Sequence, residues 1–124
     1  MRVFKTKSFA RFASHEGIAD ESLCKAVKRA AAGLIDADLG GGVIKQRIAR
    51  VGRGKSGGFR SIVLFGRGAT AFFVYGFAKS DRDNIRRDEL TAFRTLADQM
   101  LTLGDDALKA AMRNGTITEI RCHG

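Results

Sequence analysis

Residues 51–60 read VGRGKSGGFR, in which Gly52, Gly54, Gly57 and Gly58 are interleaved with Arg53, Lys55 and Arg60. Glycine lets backbone N–H groups approach an anion closely, arginine clamps a phosphate through two parallel hydrogen bonds, and lysine supplies a point charge. Phosphate binding is the chemistry such a loop suits. Its Gly-Lys-Ser invites comparison with a nucleotide-binding P-loop, and the comparison fails twice. The pattern G-x-x-x-x-G-K-S needs glycine at position 49, which is Ala49, and the loop must open a helix, whereas an apolar β-run follows from Phe59. The plainer alternative is a long turn whose cations are only solvated. Against it, Arg60 heads an otherwise apolar strand.

A second group lies downstream. Tyr75, Phe77 and Lys79 share parity at the end of a β-run, so their side chains fall on one sheet face, and Arg82 follows in KSDRDNI. Aromatic rings beside cations suit base stacking and phosphate neutralisation in single-stranded RNA. The alternative for Tyr75 and Phe77 is burial in the core. Antiparallel neighbours would bring Arg60, Lys79 and Arg82 toward one concave surface.

The charge distribution supports a polyanion ligand. The chain has 124 residues and a formal charge of +9, yet residues 39–80 contain no acidic residue at all. That window holds Lys45, Arg47, Arg50, Arg53, Lys55, Arg60, Arg67 and Lys79, while the rest carries 14 basic against 13 acidic residues. Solvated faces ordinarily mix signs, so an unbalanced block is the electrostatic footprint of a polyanion-binding surface, the plainer alternative being a merely soluble basic protein. Lys45, Arg47, Arg50, Arg53, Arg67 and Phe77 are the candidate RNA-binding residues.

Other chemistries find little support. Cys24 and Cys122 lack CxxC spacing and predict neither a zinc site nor a disulfide framework. His15 and His123 lie at the margins and read as surface residues; no metal or cofactor is implied. The longest mostly apolar stretch, residues 69–78, is half of what a membrane span requires, and the charged N-terminus does not read as a signal peptide. A cytoplasmic protein is expected.

The elements that must position these residues are legible in outline. Residues 1–5 alternate as a strand, 8–14 form a short helix, and 19–35 form a longer helix with Leu23, Val27, Ala30, Ala31 and Leu34 as its stripe and Asp20 as N-cap. DADLGGG turns the chain into a strand over 43–50, with Ile44 and Ile48 on one side and Lys45 and Arg47 on the other. FRSIVLF and TAFFVYGF form a hairpin, helices follow over 84–103 and from Asp105 to near Arg113, and residues 116–121 close the chain as a strand. The order β-α-α-β-β-β-α-α-β predicts one α+β domain over residues 1–124, with an antiparallel sheet packed on helices.

FKTKSFARFA near the start, GRGKSGGFRSI in the middle and FVYGFAKSDRDNI before a Glu-Leu helix together resemble the RelE/ParE toxin superfamily, and within it the HigB-like RelE-type toxins of bacterial type II toxin–antitoxin systems. The resemblance spans nearly the whole chain and implies a curved antiparallel sheet. It also implies ribosome-dependent mRNA cleavage in the decoding (A) site, an mRNA interferase activity that arrests translation. Its partners would be the 70S ribosome, mRNA and a cognate antitoxin, usually of helix-turn-helix type. Metal-free RNA cleavage needs a base for the ribose 2′-OH, stabilisation of the phosphorane and a proton for the leaving oxygen. On that footing Lys55 assists 2′-OH activation and Arg60 stabilises the pentavalent phosphate. Arg53, Lys79 and Arg82 position the backbone or assist the leaving group. Some relatives stack a C-terminal tyrosine on the substrate base; here the chain ends IRCHG and its only tyrosine is Tyr75, leaving Phe77 as the stacking candidate and His123 as a lesser candidate acid. A gyrase-targeting toxin of the ParE type and a non-catalytic RNA-binding module are the alternatives.

Overall fold

The computed structural model describes residues 1–49, 58–66 and 69–122. The elements run β1 (Arg2–Thr6), α1 (Lys7–Glu16), α2 (Asp20–Ala31), β2 (Ala37–Gly40), β3 (Val43–Ile48), β4 (Phe59–Gly66), β5 (Thr70–Ala78), α3 (Arg87–Met100), α4 (Asp105–Arg113) and β6 (Ile117–Ile120). The class is α+β, with a six-stranded open sheet ordered β2-β3-β4-β5-β1-β6.

Two details of the sheet differ from expectation. The sheet is mixed, because β1 pairs parallel with β5 while the other ladders are antiparallel. Helices cover both faces, so β4 and β5 are apolar almost throughout, as strands buried on two sides must be. The second difference is β2. Glycine-rich DADLGGG does contain a turn, at Gly40, Gly41 and Gly42 with φ of +82°, +64° and +81°. Ala37 and Asp38 nevertheless pair with Lys45 and Ile44 first.

Alternation along the strands divides the core in two. Val3, Ile44, Ile48, Phe59, Val63, Phe73 and Ile120 face α1 and α2. Phe4, Val43, Ile62, Leu64, Phe72 and Ile117 face α3 and α4. A bulge interrupts β5, where Tyr75 opposes Ile62 and Phe73 opposes Val63, leaving Val74 as the extra residue. Both Val74 and Tyr75 therefore lie on the α3 side. On the other face α1 rides directly over Gly76, where a Cβ would stand 2.3 Å from the Phe12 ring. That ring is itself wedged edge-on against Phe59 at 5.7 Å, so only glycine fits.

Helix α2 ends earlier than expected. Leu23, Ala26, Val27 and Ala30 are buried, but Gly33 takes φ +88° and leaves Leu34 58% exposed. Ala19 rather than Asp20 is its N-cap, and Gly104 rather than Asp105 caps α4. Buried Gln46 fixes β3 against α2: its Nε2 donates to the carbonyls of Ala26 and Leu34, and its Oε1 accepts from the Asp36 N–H. Anchoring Gln46 on this face turns its neighbours Lys45 and Arg47 to the opposite one.

The expectation of unpaired cysteines is overturned. Cys24 of α2 and Cys122, two residues beyond β6, form a disulfide with a Cα–Cα separation of 5.6 Å. The pairing is made by β6 returning beside β1, which carries the C-terminal residues to α2. Spacing along the chain gave no sign of it.

Candidate functional site

The sheet register builds a cationic row on the α3 face. Arg47 lies directly opposite Arg60 across β3 and β4, and Arg60 lies opposite Phe77 across β4 and β5. In the adjacent row Lys45 opposes Ile62, which opposes Tyr75. Lys45, Arg47 and Arg60 are each half-buried, so their aliphatic stems pack on the sheet. Among the described residues, the Arg60 guanidinium donates from Nη1 to the neighbouring Phe59 carbonyl at a long 3.4 Å. Two arginines directly opposite each other repel, and a phosphate between them would convert that repulsion into two charge-assisted contacts.

Arg82 is on the same face but differently occupied. Its Nη2 and Nη1 donate to the two Glu89 carboxylate oxygens at 2.6 and 3.3 Å, Nη1 also donates to the Tyr75 hydroxyl at 3.0 Å, and Nε donates to the Asn84 carbonyl at 2.8 Å. The guanidinium carbon sits 5.8 and 5.6 Å from the Tyr75 and Phe77 ring centroids. Every guanidinium nitrogen is thus used within the protein, and Arg82 latches the β5–α3 connection to α3. Glu89 completes the latch by accepting the Arg86 N–H at 2.7 Å.

Phe77 cannot stack on a base. It is 4% exposed, enclosed by Tyr75, Arg82 and the α3 side of the core. Its strand parity is the expected one, but α3 and the latch cover that part of the face. Lys79 is exposed at the end of β5. Lys55, Arg50, Arg53, Arg67 and His123 lie outside the described residues. Sequence reading missed Glu89. The available signal was its position three residues after Arg86, the spacing of a capping box.

The latch makes a pH prediction. The bidentate hydrogen bond from Arg82, with help from the Arg86 N–H, lowers the Glu89 pKa from 4.5 to about 2. A depressed folded-state pKa stabilises the fold above the ordinary value and loses that contribution as pH falls toward the lower one. Urea melts of Glu89→Gln should show lower stability at neutral pH and a flatter decline between pH 4.5 and 2 than the parent chain. Parallel acid profiles would overturn this role.

Among the described residues no group of three or more His, Cys, Asp or Glu is placed to hold a metal ion. None of their helices is long and apolar enough to cross a membrane. The family described as "RelE toxin of RelE / RelB toxin-antitoxin system" matches residues 1–120. The chain belongs to the RelE toxin family. Comparison with curated proteins gives no match. Membership makes the chain a toxin of a toxin–antitoxin system and implies an antitoxin partner. RelE-family toxins are generally endoribonucleases.

Proposed function

We propose that this RelE-family toxin is a HigB-like, ribosome-dependent endoribonuclease that cleaves mRNA in the decoding site without a metal ion. The observation that carries the reading is the register of Lys45, Arg47 and Arg60 on one sheet face, inside a 42-residue window (39–80) free of acidic residues. The ribose 2′-OH attacks the adjacent phosphorus, giving a cyclic phosphate and a free 5′-hydroxyl. Arg60 and Arg47 clamp the non-bridging oxygens, whose negative charge grows in the pentavalent transition state. Lys45 holds the flanking phosphate, as do Arg50, Arg53 and Arg67. Lys55 assists removal of the 2′ proton, a role that crowded positive charge favours by disfavouring a charged lysine. Lys79 neutralises the leaving side. Arg82 contributes through the latch, keeping Tyr75 and the connection to α3 in place.

The same reading assigns the toxin to the cytoplasm, with the 70S ribosome as the platform for its substrate and a helix-turn-helix antitoxin as its neutralising partner. The test is a reaction with ribosomes programmed with a defined mRNA, beside free mRNA and beside supercoiled DNA with gyrase. Cuts confined to ribosome-bound mRNA are expected. Gyrase-dependent DNA breaks would transfer the protein to the ParE-type activity. Salt-sensitive RNA binding without a cut product would leave a binding module.

A further inference from the structure

The Cys24–Cys122 disulfide lies in a cleft of about 720 Å³ formed by β1, α2 and the residues after β6. Its charged wall is made by Lys25, Lys28 and Arg121, with Glu21 as the acidic member. Glu21 forms an exposed ion pair with Lys25 at 3.5 Å, so the remaining charge of the cleft is positive. Lys28 is four residues after Cys24, on the same helix face. Cys122 is exposed and Cys24 half-buried. The cleft borders α2, on the opposite side of the sheet from the Arg47–Arg60 row, and its chemistry is independent of the RNA reading.

We propose that this cleft is a thiol-exchange site for an anionic low-molecular-weight thiol of about tripeptide size. Positive charge gathers such a thiol and stabilises a thiolate, while the volume falls within the range of small-molecule sites. The incoming thiolate attacks the exposed Cys122 Sγ in line with the existing bond. A new bond joins that sulfur to the ligand, the Cys24–Cys122 bond breaks, and Cys24 Sγ leaves with the electron pair as a thiolate beside Lys25 and Lys28. A second thiolate attacking the mixed disulfide releases the oxidised ligand and leaves both cysteines reduced. The dithiol/disulfide balance thus closes with the thiol itself as reductant.

The test uses the full chain and three probes, glutathione (anionic), 2-mercaptoethanol (neutral) and cysteamine (cationic). Each is reacted at matched thiolate concentration and referred to its rate with a small uncharged disulfide. Acid-quenched mass mapping should place the first adduct on Cys122. At low ionic strength glutathione should exceed cysteamine by about three- to tenfold, as expected for one or two cations within several ångströms. The preference should disappear in the Lys25→Gln/Lys28→Gln double variant. Equal or reversed preference, a preference that survives in that variant, or free Cys24 and Cys122 after air oxidation would each overturn the proposal.

Discussion

Replacing Arg60 by alanine is expected to reduce single-turnover cleavage of ribosome-bound mRNA by about 10²–10³-fold, the usual effect of deleting one preorganised donor to a developing oxyanion. The fold should remain intact. Arg60 sits opposite Arg47, and removing one of two facing like charges relieves repulsion. Its guanidinium bond to the adjacent Phe59 carbonyl is long, at 3.4 Å, so the loss exposes little unmet hydrogen-bonding capacity. The melting temperature should therefore stay level or rise while the rate collapses. Arg82→Ala provides the contrast, because it breaks the bidentate Glu89 latch and should lower stability as well as activity. Arg60→Lys keeps the charge but loses the fork, and should recover only part of the rate. Full cleavage by Arg60→Ala would remove it from the reaction.

What the sequence disclosed and what it withheld follow a physical division between local and distant information. The apolar runs of β4 and β5, and the alternation that puts Lys45 and Arg47 opposite Ile44 and Ile48, are local signals, and the structure follows them. The facing of Arg47 and Arg60 was not anticipated, since the expected convergence joined Arg60 with Lys79 and Arg82, and the register between β3 and β4 is a cross-strand property that no local pattern encodes. Phe77 shows the limit more sharply. Strand parity assigned its face correctly, but whether that face meets solvent depends on α3, whose Glu89 closes over it through Arg82. The parallel β1–β5 ladder joins residues 68 apart, Arg2 and Thr70. No window of sequence contains such a pairing. Short β2 was hidden for the opposite reason, since its neighbouring glycines carry a turn signal strong enough to mask the pairing of Ala37 and Asp38 beside it.

The disulfide has the largest consequence for stability. Reduction of Cys24–Cys122 is expected to lower the unfolding free energy by about 4–5 kcal/mol, because the bond spans 98 residues and removes much of the freedom of the unfolded chain. For a chain of this length that corresponds to a fall in melting temperature of roughly 15–20 °C. The folded state should survive the reduction. Strand β6 is also held by its antiparallel ladder with β1, and Arg2 Nε donates to Glu119 Oε2 at 2.9 Å beside the disulfide-bearing tail. Those contacts act on the native state, whereas the disulfide acts mainly on the unfolded ensemble, so the two contributions are separable. Thermal melts with and without a phosphine reductant should show the shift in the parent chain and none in Cys24→Ser/Cys122→Ser. The double variant should melt where the reduced parent melts. A parent chain indifferent to reductant would show that the bond constrains only the tail. A variant melting well below the reduced parent would place the loss in the packing of the sulfurs rather than in chain entropy.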